Sequence, residues 1–161
     1  MKLKFITKYL QLAGLLLGVN AYSQRTYDNS LLLKASALVP VTADGSLVLD
    51  VGNGLLDADL ILDVTVAETV ADGSSIIVLE GSPDAAFGVA GNIAALARIA
   101  IGKSAAAALA PQGFDDVIGR YMVPFRNERN GTTYRYLRIR TIVAGTAPTG
   151  LNYMAWVAKD Q

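Results

Sequence analysis

Three carboxylates near the start of an apolar run, Asp57, Asp59 and Asp63, could in principle bind a cation, since Ca²⁺ prefers clustered oxygen ligands. Their spacing lacks the glycine and the terminal glutamate of an EF-hand loop, and Leu60 to Leu62 continue as an apolar segment. We therefore predict the solvated start of a β-strand here and no metal site.

A second candidate for ligand chemistry is Gly102-Lys103-Ser104, which resembles the end of a phosphate-binding loop. Ala97 stands where the first glycine of that motif belongs, which argues against a nucleotide site.

The sequence contains no cysteine and no histidine, so cysteine nucleophiles, serine–histidine triads, ordinary zinc sites and disulfides are excluded. The acidic residues are spread along predicted strands and turns, unlike the paired carboxylates of a glycan hydrolase. We predict that the protein is not an enzyme and uses no cofactor.

The third candidate is an arginine- and tyrosine-rich strand face made of Tyr134, Tyr136, Arg138 and Arg140. Such a face could stack on nucleic acid bases or sugars. Because the net charge is zero, the chain supplies no general attraction to phosphate. We therefore expect a solvated sheet surface or a protein contact, where arginine and tyrosine are enriched, and no nucleic acid partner.

Charge is distributed unevenly along the chain. No lysine or arginine occurs between Ala35 and Ala97, a stretch with many acidic residues, whereas the stretch from Arg98 to Lys159 is predominantly basic. One interpretation is that acidic and basic strands are neighbours in a sheet and form cross-strand pairs. The alternative is a bipolar surface that orients contacts between subunits. We favour the first.

The C-terminal stretch from Arg120 to Asp160 predicts three antiparallel strands with turns at Asn130-Gly131 and at Gly145 to Gly150. After Asn-Gly, alternation places Leu137 and Ile139 on one face and the arginine–tyrosine set on the other. The chain length suits one domain.

Earlier in the chain, alternation predicts strands over Ser46–Val51, Ala58–Thr69 and Ile76–Glu80, joined as an antiparallel meander with a hairpin at Asp72-Gly73. We predict a further turn at Asp44-Gly45, and Pro40 suggests an edge or a loop. Ala85 to Gly113 is ambiguous, because Ile93, Leu96, Ala97 and Ala100 have helical spacing. We predict a loop-rich insertion with one short strand at Arg98–Ile101 and at most a short helix.

Residues 1–24 admit two interpretations. Lysines 2, 4 and 8 precede an apolar stretch from Leu10 to Val19, as in a secretory signal removed after Ser23. The stretch is short for a transmembrane helix, so no membrane partner is expected. The alternative, which we favour, is an arm over residues 1–30 that precedes a domain over residues 31–161 and lies on a neighbouring, acidic surface. The arm residues that we predict to make contacts are Tyr9, Leu12, Leu16 and Tyr22.

The order of these segments is similar to that of the small capsid cement, or decoration, proteins of tailed bacteriophages. The resemblance covers roughly Leu31 to Gln161 and depends on Leu47–Gly52, Leu60–Val66, Ile77–Glu80, Ser82–Asp84, Leu96–Arg98, Arg135–Arg138 and Val143–Thr146.

The resemblance implies an all-β, antiparallel, jelly-roll-like sandwich that binds the outside of a phage head where major capsid protein subunits meet. It implies a mechanical role in head stabilisation, a homo-oligomer such as a dimer or trimer, and a location on the virion exterior. The runner-up is a secreted bacterial β-sandwich that binds surfaces, like an adhesin, with residues 1–23 removed. The N-terminus of the mature protein discriminates between the two.

Overall fold

The computed structural model describes residues 28–102, 113–114 and 118–159, with the backbone alone at 113–114. This part of the chain is mostly β-strand with almost no helix, which confirms the all-β prediction. The strands are β1 (Leu32–Val39), β2 (Ala43–Asp50), β3 (Asp57–Val66), β4 (Ser74–Ser82), β5 (Ala94–Gly102), β6 (Gly113–Phe114), β7 (Gly119–Arg126), β8 (Glu128–Arg129), β9 (Thr132–Thr133), β10 (Tyr136–Ala144) and β11 (Leu151–Ala158).

The long strands form two sheets, with orders β1-β11-β3-β7 and β2-β10-β4-β5, and the short β6 extends the second sheet beside β5. All pairs of long strands are antiparallel. Pairing is nested from the ends of the described chain inward: β1 with β11, β2 with β10, β3 with β7 and β4 with β5. The first half of the chain therefore lies beside the second half, and β1 to β4 alternate between the two sheets.

Alternate side chains of both sheets share one core. Leu60, Leu62 and Val64 of β3 and Leu137 and Ile139 of β10 are fully or almost fully buried within it. Both strands follow the predicted period of two, since a pleated strand presents successive side chains to opposite faces. The burial of alternate apolar residues from both sheets is the main contribution to stability that the pattern of the sequence encodes.

The predicted meander is wrong. β3 and β4 lie in different sheets, so the turn at Ala71-Asp72 carries the chain from one sheet to the other instead of closing a hairpin. Almost every residue of β4 is buried, because β4 lies between β10 and β5 in the middle of its sheet. The middle of β4, Ile76 to Leu79, is a continuous apolar run. Such a run is typical of a strand inside a sheet, but it does not show which strand pairs with it.

The predicted turn at Asp44-Gly45 is also wrong, because both residues lie within β2 and the chain reverses at 40–42 instead. The segment with apparent helical spacing is strand β5, nine residues long, and not a loop-rich insertion with one short strand. Its helical pattern arose because Ala97 and Ile99 face the core while Ala100 is also buried, on the opposite face. Residues 103–112, including the alanine-rich stretch, lie outside the described residues.

In the C-terminal region, the Asn130-Gly131 turn is confirmed, and both residues have positive φ as such a turn requires. It joins β8 to β9, a small separate hairpin, rather than two long strands. The three long strands predicted after Arg120 are present as β7, β10 and β11, but β10 lies in one sheet and β7 and β11 in the other.

A buried carboxylate ties two inter-sheet connections together. Glu68, after β3, accepts hydrogen bonds at Oε1 from Val70 N (3.0 Å) and from Thr149 N and Oγ1 (2.9 and 2.6 Å), and at Oε2 from Gly150 N (2.7 Å). Burial raises the pKa of Glu68, but these donors outweigh burial and lower its pKa to about 2. The carboxylate thus fixes the β10–β11 connection against the β3–β4 connection.

This arrangement predicts acid sensitivity. The pKa of Glu68 in the folded protein lies below its ordinary value of 4.5. The ionised carboxylate therefore contributes fully to the free energy of unfolding above pH 4.5, and this contribution is lost as the pH falls toward about 2. Allowing for solvent screening, we expect Glu68→Gln to lower the free energy of unfolding by about 2 kcal/mol at pH 7. The loss should be clearly smaller at pH 3. Urea titrations at both pH values measure it, and an equal loss at both would contradict the assignment.

Candidate interaction surfaces

Acidic residues of the first half of the chain form cross-strand ion pairs with basic residues of the second half. Asp57 and Asp63 of β3 stand opposite Arg126 and Arg120 of β7, and each carboxylate accepts two hydrogen bonds from its arginine, at 2.6 to 3.0 Å. Nested pairing places acidic strands of the first half beside basic strands of the second half, which confirms the favoured interpretation. Exposed pairs of this kind contribute little to stability, but they help to specify strand partners and register.

On the outward face of the second sheet, a four-residue network joins β2, β4 and β10. Arg138 Nε lies 2.8 Å from Glu80 Oε2, and Arg138 Nη1 lies 3.2 Å from Asp44 Oδ2. Arg140 is farther from the same two carboxylates, at 3.7 Å from Asp44 and 4.0 Å from Glu80. The side chain of Arg138 is 13% exposed and that of Arg140 is 43% exposed. Arg138 is therefore the buried member of a neutralised cluster.

A loop after β4 covers this network with an aromatic ring. Phe87 is buried, and the Arg138 guanidinium carbon lies 4.3 Å from the centroid of its ring. The loop is shaped by Asp84, whose Oδ1 accepts from Ala86 N and whose backbone oxygen accepts from Phe87 N. Phe87 has a φ of 49°, a left-handed conformation that is rare for aromatic residues. Sequence reasoning did not identify Phe87, and no pattern in the sequence marks it.

The predicted contact residues of β10 are therefore only partly available. Tyr136, Arg138 and Arg140 do lie on the outward face, as the alternation predicted, and Tyr134 lies just before the strand. The guanidinium of Arg138, however, is engaged by two carboxylates and Phe87, so an outside partner would meet Tyr136 and Arg140 first. The other predicted contact residues, Tyr9, Leu12, Leu16 and Tyr22, lie outside the described residues.

Lys34 is a buried cation within β1. Its Nζ donates to the carbonyl oxygens of Ala35, Ala37 and Tyr153 at 2.8 to 3.0 Å and lies 4.3 Å from the centroid of the Tyr153 ring. Burial lowers the pKa of Lys34 to about 8. Lys34 lies where the register between β1 and β11 shifts, and its ammonium donates to carbonyl oxygens at that irregularity.

Exposed apolar side chains occur on β1, on β2 and on the connection between them. Each of these strands is the terminal strand of its sheet, and the two strands pack together. The exposed residues are Leu38 of β1, Val41 of the connection, and Leu47 and Val48 of β2, with Val41 66% exposed. Edge strands are usually protected by charge or by short length, so an eight-residue edge strand with apolar side chains favours a protein contact.

In the parts of the chain that the structure describes, no group of acidic residues is placed to bind a metal ion, and no helix has the length and apolar character to cross a membrane. The three aspartates considered above lie along the outward face of β3. No protein-family model matches this chain, and no curated protein matches its sequence.

Proposed function

We propose that this protein is a structural component of a tailed-phage particle that binds the outer surface of the capsid where major capsid protein subunits meet, and stabilises the head. The observation that carries the proposal is the set of exposed apolar side chains on the terminal strands β1 and β2 and on the connection between them, where Leu38 of β1 and Val41 of the connection are more than half exposed. Exposed apolar side chains on edge strands suit a permanent contact that buries apolar area, as a mechanical support requires.

The strand order supports the architectural part of this proposal. In a jelly roll, eight strands form two four-stranded sheets. The nested pairs β1–β11, β2–β10, β3–β7 and β4–β5, split as β1-β11-β3-β7 and β2-β10-β4-β5, are the arrangement that such a double-sheet sandwich would have. We assign the protein to a jelly-roll-like sandwich on this basis, preceded by an N-terminal arm.

Cross-links within the described domain also support a mechanical role. A buried carboxylate, Glu68, joins the β3–β4 and β10–β11 connections, and an ion-pair network joins β10 to β4 and β2 on the outward face of the second sheet. A domain that transmits load gains from such cross-links, because they resist separation of strands that are distant in sequence. We further propose that copies of the protein associate as a dimer or trimer on the capsid.

The test is binding to heads. Purified full-length protein, incubated with heads that lack it, should sediment with them in a fixed ratio per capsid. Val41→Asp together with Val48→Asp should weaken binding by at least about tenfold, since a charge placed in an apolar contact costs more than about 1.4 kcal/mol.

The matched control is Met122→Asp, because Met122 is 58% exposed and lies on β7, the terminal strand at the opposite end of the first sheet from β1. It should bind as the unmodified protein does. Absence of the protein from purified particles would overturn the proposal. An intact mass that begins near Gln24, in protein recovered from the cell surface, would favour the secreted surface-binding alternative.

A further inference from the structure

The sequence contains two Asn-Gly dipeptides, Asn53-Gly54 and Asn130-Gly131, and all four residues are exposed. Asparagine loses its side-chain ammonia most readily when glycine follows it, because glycine has no Cβ to hinder the approach of its backbone nitrogen. The two dipeptides share the same residue types and the same exposure. A difference in their reactivity would therefore come from the structure around each of them.

The reaction is an intramolecular ring closure. The backbone nitrogen of the glycine attacks Cγ of the asparagine, so that an N–Cγ bond forms and the Cγ–Nδ2 bond breaks. The side-chain amide leaves as ammonia, together with the proton that the glycine nitrogen gives up. Water then opens the ring at either carbonyl carbon and leaves aspartate or isoaspartate. The reaction requires that the peptide plane between the two residues can rotate and that the glycine N–H can lose its proton.

The structure around Asn130-Gly131 opposes both requirements. Gly131 N donates to Glu128 Oε1 at 2.5 Å. This charge-assisted hydrogen bond holds the N–H in place, and the negative carboxylate disfavours an anionic nitrogen beside it. Asn130 and Gly131 have φ values of 54° and 79° in the turn between the paired strands β8 and β9. Ring closure at Asn130 would therefore break both the hydrogen bond and the turn.

The structure around Asn53-Gly54 permits both requirements. Among the residues that the structure describes, none accepts a hydrogen bond from Gly54 N. An added Cβ at Gly52 or at Gly54 would have nothing within 4 Å, so the peptide plane between Asn53 and Gly54 has room to rotate. The carbonyl oxygen of Gly54 accepts from Asn127 Nδ2 at 3.0 Å, but that oxygen belongs to the next peptide plane.

We propose that Asn53 is a site of spontaneous deamidation in the folded protein and that Glu128 protects Asn130 from the same reaction. The inference is independent of the proposed capsid role. Isoaspartate would add one atom to the backbone directly before Gly54 and Leu56, which the buried side chain of Asn127 binds. This segment carries the chain from β2 in one sheet to β3 in the other. We therefore expect the isoaspartate form to unfold at a lower urea concentration than the unmodified protein.

Peptide mapping by mass spectrometry tests the proposal in a single sample, because each site gains the mass difference between amide and acid. Full-length protein in mildly alkaline buffer should react at least about tenfold faster at Asn53 than at Asn130, since the loss of a hydrogen bond to a carboxylate has a cost of that size. In concentrated urea, where the structure holds neither site, the two rates should be similar. Similar rates in the folded protein, or a faster reaction at Asn130, would overturn the inference.

Two substitutions test the assigned causes. Glu128→Ala should raise the rate at Asn130 about tenfold and leave the rate at Asn53 unchanged. Gly54→Ala should slow the reaction at Asn53 several-fold, because the added Cβ hinders ring closure, and the fold accepts it because Gly54 has open space and no positive φ. An unchanged rate at Asn130 in Glu128→Ala would refute the protective role of Glu128. An unchanged rate at Asn53 in Gly54→Ala would refute ring closure through Gly54.

Discussion

Replacing Gly150 with alanine should lower the free energy of unfolding by about 3–5 kcal/mol. Two costs combine at this position. Gly150 has a φ of 79°, where a side chain is strained, and an added Cβ would lie 2.1 Å from the carbonyl oxygen of Val39. That oxygen is backbone at the end of β1, so it cannot move away without disturbing the strand. Gly150 also donates its N–H to Glu68, and a shifted backbone would weaken that bond.

Two other glycines separate these costs. Gly52 has a φ of 77° with nothing within 4 Å of an added Cβ, so Gly52→Ala should show the conformational cost alone, about 1–2 kcal/mol. Gly91 also has open space and lacks a positive φ, so Gly91→Ala should be neutral or stabilising by up to about 1 kcal/mol. Urea denaturation of the three variants measures the series. Equal losses at Gly52 and Gly150 would show that the close approach to Val39 carries no cost.

The sequence could predict elements but not their partners. Alternation identified β2, β3, β10 and β11 because each has one face in the core and one face outward. It misassigned the connection between β3 and β4, since a turn such as Asp72-Gly73 can close a hairpin or change sheets with the same residues. It also missed most of β5, whose two faces are both partly buried, so that no period of two remains.

The distribution of charge along the sequence indicated which strands pair, whereas the alternation of apolar residues did not. An acidic first half and a basic second half are what nested pairing requires, because β3 meets β7 and β2 meets β10. Pairs such as Asp57–Arg126 and Asp63–Arg120 also fix the register, since a slip by one residue would place each charge on the opposite face. The face of Tyr136, Arg138 and Arg140 was located correctly, but the burial of Arg138 depends on Glu80, Asp44 and Phe87, which come from three other segments. No local pattern could reveal that convergence.

Replacing Arg138 with alanine should therefore destabilise the protein, with an expected loss of about 2–4 kcal/mol in the free energy of unfolding. The substitution removes the cation nearest to Glu80, whose side chain is 11% exposed, and leaves that carboxylate with Arg140 at 4.0 Å as its remaining partner. It also removes the guanidinium against which the Phe87 ring packs, and so the contact that holds the loop after β4 against the sheet. We expect the loop to become accessible to proteases as stability falls, because its buried ring loses its partner.

Arg140→Ala is the matched comparison, since Arg140 touches the same two carboxylates at longer distances and is far more exposed. Its removal should cost less than about 1 kcal/mol, as for other exposed pairs. The double variant Arg138→Leu with Glu80→Leu should recover most of the stability lost in Arg138→Ala, because no charge is then buried without its partner. Urea titrations at pH 7 of the unmodified protein, Arg138→Ala, Arg140→Ala and the double variant measure these free energies of unfolding. Similar losses for Arg138→Ala and Arg140→Ala would mean that the network is an ordinary surface cluster, and β10 would then be open to a partner along its whole outward face.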